Sequence, residues 1–214
     1  MASLLPKAIL IASASTALVG AGGIAALSLF DVPKLQSQPA SRSLPQIRWL
    51  FSRGSHVFPT AAILSSTGFL YCAYAALPTG ISTLDAVRLT VQGSKVTGFV
   101  AASILSFGIA PWTSLMIPTN FRLIEMNEAK GGSRSRASAG QAKKGMSAEE
   151  SVDGEGQAGQ FGDLSGPMEK TADASTKEED EEVRELLGKF GRLNAVRAVL
   201  LGAGGVVGLA TALA

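Results

Sequence analysis

The sequence predicts an all-α fold, a four-helix transmembrane bundle with a long disordered loop between helices 3 and 4. Three observations lead there. Four stretches, about 5–30, 57–77, 96–117 and 193–214, are apolar and almost free of ionisable residues. Each approaches the roughly 20 residues of helix that cross a bilayer core about 30 Å thick. Lipid offers the backbone no hydrogen-bond partners, so such segments must be helical. Finally, residues 131–175 are rich in Gly, Ser, Ala, Lys and Glu and poor in large apolar residues. Such a composition buries too little surface to offset the entropy of ordering.

At 214 residues the chain holds a single four-span membrane domain, residues 1–130 and 176–214, with 131–175 as its loop. The first apolar run is longer than a signal-peptide core and crowded with Ala and Gly, so it is read as a retained signal-anchor helix. Lys34, Arg42, Arg48 and Arg53 lie in loop one, and Arg122, Lys130, Arg134, Arg136, Lys143 and Lys144 open loop three. Loop two has only Arg88 and Lys95. That asymmetry predicts loops one and three on the cytosolic side of an endomembrane such as the endoplasmic reticulum.

Between the first two spans, Pro33, Pro39 and Pro45 predict a loop, and Gln46–Arg53 an interfacial helix with Trp49 at headgroup depth. Pro59 then falls in the first turn of span two, where a missing N–H is tolerated. In span three, Gly98, Ala102 and Ser106 recur every four residues, as do Gly204 and Gly208 in span four. Small residues at this spacing let helix backbones approach closely. Pro111 and Pro118 each free a carbonyl one turn earlier, with Thr113, Ser114, Thr119 and Asn120 at hand as partners. This is either a kinked helix end or a cavity wall. From Thr176, acidic residues fill a first turn, and Val183, Leu186, Leu187, Phe190 and Leu193 mark an amphipathic helix entering span four. Gly188 and Gly191 would let it bend.

The polar residues near the spans are few. Trp112 and Asn120 close span three, Asn194 and Arg197 open span four three residues apart, and His56 is the only histidine. Arg197 either snorkels to the interface or points into the bundle. His56 is either a solvated residue or the general base of a reaction. The spans hold no Asp or Glu and one thiol, Cys72, so the donor set for a metal centre is missing and no cofactor is expected. No phosphate-cradling glycine loop is visible, and the basic tract of loop three lacks the aromatics of a nucleic-acid surface. Membrane lipid is the expected partner. Oligomeric state is not encoded in any pattern here.

Pro111–Glu128 (PWTSLMIPTNFRLIEMNE) resembles the segment that closes the third helix in the fungal anthrone oxygenase-like integral membrane family. Arg48–Gly54 with Pro59, and Gly191–Arg197, resemble the stretches before its second and fourth helices. The resemblance implies a four-helix membrane fold and a cofactor-free, O2-dependent monooxygenase of secondary metabolism, an oxidoreductase converting an anthrone to an anthraquinone. A hydrophobic aromatic substrate and O2 would be the partners. His56 would then be the base, Arg197 with Asn194 would hold the enolate, and Trp112 with Asn120 would line the site. A non-catalytic membrane scaffold or lipid-interacting protein of the same fold is the other reading.

Overall fold

The computed structural model describes residues 4–139, 145–154 and 162–214. Among them the regular elements are all helical. Helix α1 covers Leu4–Ala26, a π-helical turn Leu27–Asp31, α2 Val32–Gln36, and α3 Ala40–Ala75. Then come α4 (Thr83–Leu89), α5 (Lys95–Phe107), α6 (Ile109–Ser114), α7 (Ile117–Ala129), α8 (Ala148–Asp153) and α9 (Lys177–Leu213). Four helical stretches are long and apolar enough to cross a membrane: Leu4–Gln36, Ala40–Ala75, Lys95–Ser114 and Lys177–Leu213. By that measure this is an integral membrane protein.

The chain divides into two compact units. One, the membrane unit, comprises Met1–Ala25, Val57–Ser114 and Ala195–Ala214; the other, the polar unit, comprises Ala26–His56 and Leu115–Asn194. Loops one and three thus fold together as a body of their own, which the sequence does not separate from the spans.

In the membrane unit, Ala14, Ala17, Ile24, Phe69, Phe99, Ala102 and Leu201 are at the centre of the core. The small-residue rows pack as predicted. A Cβ on Gly204 would lie 2.9 Å from the Ala102 carbonyl, and one on Gly98 would strike Thr211, so α5 and α9 meet backbone to backbone. Span three is broken twice. Helix α5 ends at Phe107 and α6 at Ser114, each four residues before a proline. Those are the carbonyls that Pro111 and Pro118 cannot bond.

The polar unit shows what the sequence misread. Helix α3 begins at Ala40, so loop one is mostly helical and Pro59 is mid-helix rather than in a first turn. Pro45 is tolerated because the carbonyl it leaves open, Ser41 O, accepts the Thr171 amide at 2.8 Å instead. The π-helical turn has a related cause. Pro33 has no N–H for the Leu29 carbonyl, and just before it Val32 N–H reaches back five residues to Leu27 O. The Trp49 indole N–H donates to Ser165 O at 3.0 Å.

Helix α9 starts with a reciprocal cap. Glu179 N–H donates to Thr176 Oγ1 (3.3 Å) and Thr176 N–H to the Glu179 carboxylate (2.7 Å). Gly188 and Gly191 leave the helix unbroken. Their role is clearance, because a Cβ at Gly191 would sit 3.1 Å from Val32. Ion pairs join α7 to α9: Arg122 to Glu182 at 2.8 Å, and Lys130, just past α7, to Glu179 at 2.7 Å. Of the loop predicted to be disordered, residues 140–144 and 155–161 lie outside the described residues. Its described remainder holds local structure. It carries α8, and Ser133, Ser135, Ala148, Ser151 and Thr171 are buried in it. Hydrogen bonds and charges hold these parts, as for Ser151 with Glu128 and Ser135 with Asp163.

Candidate functional site

The five residues singled out in the sequence divide between the two units. Trp112, half-buried in α6, and Arg197, 8% exposed in α9, belong to the membrane unit. His56 in α3, Asn120 in the first turns of α7 and Asn194 in α9 belong to the polar unit. Of these, Asn194 is fully buried and its side-chain amide donates to Ser28 Oγ at 3.2 Å. Ser28 stands in the π-helical turn. Such turns interrupt regular helices at functional positions more often than elsewhere. His56 is half-buried.

The Pro118-Thr119-Asn120 segment carries the most telling polar atoms. Thr119 is 2% exposed. Its Oγ1, and Asn120 Oδ1, are buried without a hydrogen-bond partner among the described residues. Folded proteins pair nearly all such atoms, so these two, like both amide atoms of the nearby Asn127, call for a partner such as solvent. Arg197 is distinctive for a different reason. A guanidinium taken out of water is costly, and this one is largely buried within α9.

A polar cluster that the sequence reading missed lies deep in the polar unit. Arg48 and Glu128 are 1% and 2% exposed, with Arg48 Nε 3.7 Å from Glu128 Oε1. Ser151 joins them. Arg48 Nη2 donates to its Oγ at 2.8 Å and its carbonyl at 3.2 Å, and its hydroxyl donates to Glu128 Oε1 at 2.9 Å. Burial pushes the Glu128 carboxyl above the usual carboxylate range, against the opposing pull of Ser151 and Arg48. A signal was available. Arg48 follows Leu44 and Ile47 on the apolar face of α3, and Glu128 follows Leu123 and Ile124 on that of α7. A charge placed on a buried stripe requires a partner there.

The cluster fixes the loop rather than offering a reactive surface, and a second anchor does the same. Arg53 stacks 5.6 Å over the Trp49 ring and lies 3.9 Å from Asp163. Hydroxyl donation from Ser135, then from Ser165, holds Asp163 down at about 2. Among the described residues no group of three His, Cys, Asp or Glu gathers in a way that would hold a metal ion.

Comparison with known proteins adds one finding. No curated protein and no solved structure gives a significant match to the chain. The family described as anthrone oxygenase matches residues 48–207, well over half of the sequence, from Arg48 through the Pro-Thr-Asn segment to beyond Arg197. The chain belongs to the anthrone oxygenase family.

Proposed function

We propose that this protein oxidises an anthrone-type aromatic polyketide to the quinone with O2, acting on substrate dissolved in the bilayer. The observation that carries this reading is the pair of buried, open polar atoms, Thr119 Oγ1 and Asn120 Oδ1, inside the Pro-Thr-Asn segment. They suit the phenolic hydroxyls of such a ligand, which donate hydrogen bonds to buried acceptors.

The chemistry makes modest demands. Removal of one proton from the C10 methylene gives an electron-rich enolate, which passes an electron to O2. Recombination forms a C10 peroxide, and loss of water from it leaves the carbonyl. One O2 is consumed; one oxygen atom enters the quinone and the other leaves as water. The protein must accept a proton, steady a developing oxyanion and exclude bulk water. In the polar unit His56 is assigned the proton and Asn120 and Asn194 the orientation of substrate oxygens. The polar unit, built from the Lys- and Arg-rich loops, is placed on the cytosolic side of the endoplasmic reticulum.

The test is quinone formation from emodin anthrone by membranes containing the protein, against membranes without it. The reading expects a rate well above the spontaneous one, and a loss of roughly 100-fold or more in His56→Asn, as for removal of a general base. A rate equal to that of empty membranes overturns it in favour of a scaffold. Activity that appears only with added iron or flavin overturns the cofactor-free chemistry.

A further inference from the structure

The membrane unit contains a second feature with ligand chemistry. A crevice of about 490 Å3 would be the larger cleft, but it lies in the polar unit among charged side chains. The one of interest, about 430 Å3, opens between α3 and α5 and is lined by Ile63, Ser66, Thr67, Leu70, Ser103, Ile104 and Phe107, with Thr67 exposed. Its size falls within the range of small-molecule sites. The four apolar walls are about half exposed or more, as lipid-facing residues are, while Ser66 and Ser103 at its floor are buried.

Those two serines differ from several other hydroxyls within the spans. Ser13, Ser65, Ser106, Thr113 and Thr211 each donate to the carbonyl four residues back, the usual way a hydroxyl satisfies itself within a membrane helix. Ser66 and Ser103 bond each other across the two helices, Oγ to Oγ at 2.8 Å. A single bond between two hydroxyls uses one proton. Whichever serine accepts keeps an O–H of its own, and lipid tails contain nothing to receive it.

We propose that this crevice binds a fused-ring aromatic ketone or quinone entering sideways from the bilayer, its carbonyl accepting the spare hydroxyl proton of the Ser66–Ser103 pair. The ligand class rests on the oxidation proposed above; the crevice is where such a molecule leaves the lipid. Flat rings fit between Ile63, Leu70, Ile104 and Phe107, and a carbonyl edge reaches the floor. An acyl chain fits the walls equally well but offers no acceptor.

The experiment uses the full chain in lipid nanodiscs with labelled 9,10-anthraquinone and, separately, labelled anthracene, each corrected for partition into empty nanodiscs. The expected result is saturable anthraquinone binding that exceeds anthracene binding. Ile104→Trp, on an exposed position, fills the crevice and weakens anthraquinone binding at least 10-fold with the melting temperature unchanged. Ser66→Ala with Ser103→Ala weakens it roughly 3- to 10-fold, the worth of a neutral hydrogen bond, and leaves anthracene unaffected. No saturable binding, equal binding of the two ligands, or wild-type affinity in Ile104→Trp each overturns the proposal. Binding as described in a protein that does not oxidise anthrones would sink the proposed reaction and leave this site standing. Oxidation unaffected by Ile104→Trp, with no anthraquinone bound, would do the reverse.

Discussion

Replacing Arg48 by Met isolates the buried cluster of the polar unit. The variant keeps the aliphatic packing of a side chain that is 1% exposed and removes its charge. At 3.7 Å from Glu128 that charge is worth about 4 kcal/mol of attraction at an effective dielectric of ~20. Both bonds from Nη2 to Ser151 go with it. Breaking a buried pair from one side costs about 3–5 kcal/mol, because the other charge stays behind without compensation.

The pH dependence follows from Glu128, whose carboxyl is already raised by burial and loses the opposing pull of Arg48 in the variant. A carboxyl with a folded-state value above its unfolded one binds its proton more tightly when folded. Its contribution to stability is therefore complete below the unfolded value and is lost as pH rises through the folded one. Arg48→Met is accordingly most destabilised at neutral and alkaline pH and recovers on acidification. In a Trp112→Phe background, Trp49 reports on the polar unit alone. Its fluorescence melt should fall on the order of 15 °C at pH 8 and less at pH 5. Arg48→Met combined with Glu128→Leu should regain most of the loss. A shift at pH 8 too small to measure, or one equal at the two pH values, would refute the assignment.

Three further outcomes are expected. Thr171→Pro removes the amide that caps Ser41 O behind Pro45, costs about 1–3 kcal/mol, and speeds proteolytic cleavage between residues 131 and 175. Gly204→Val wedges α5 from α9 where a Cβ would meet the Ala102 carbonyl, costing about 1–3 kcal/mol, read as earlier thermal exposure of the buried Cys72 thiol to a maleimide dye. Asp163, held at about 2 by the Ser135 and Ser165 hydroxyls, gives stability that is full above its usual value of 3.8 and is lost as pH falls toward 2. Trp49 emission should change over that window in the wild type and be flat there in Asp163→Asn.

Hydropathy alone located the spans, because the bilayer constraint acts on a local run of residues. The helical ends beyond them were obscured by proline. Pro39 and Pro45 read as loop signals, whereas Pro39 stands just ahead of α3 and Pro45 is excused by a partner, Thr171, that comes 126 positions later in the chain. Glycine misled similarly. Gly188 and Gly191 suggested a bend, yet their missing side chains make room for Gln36 and Val32. The contacts that Arg48, Arg53 and Trp49 make to loop three are 103 to 116 residues apart, beyond what composition shows. Of the site, Asn120 and Asn194 were legible as amides out of place near apolar spans. The Ser66–Ser103 floor was not, because a serine in a membrane helix usually bonds its own backbone.

The account stands or falls on O2 chemistry at a membrane-dissolved aromatic ketone. Its most direct measurement gives the purified protein emodin anthrone under 18O2 in ordinary water and follows label and rate together. The account predicts one labelled oxygen at the new carbonyl, formed faster than without protein. A carbonyl oxygen drawn from water, or a rate matching the protein-free control, would contradict it.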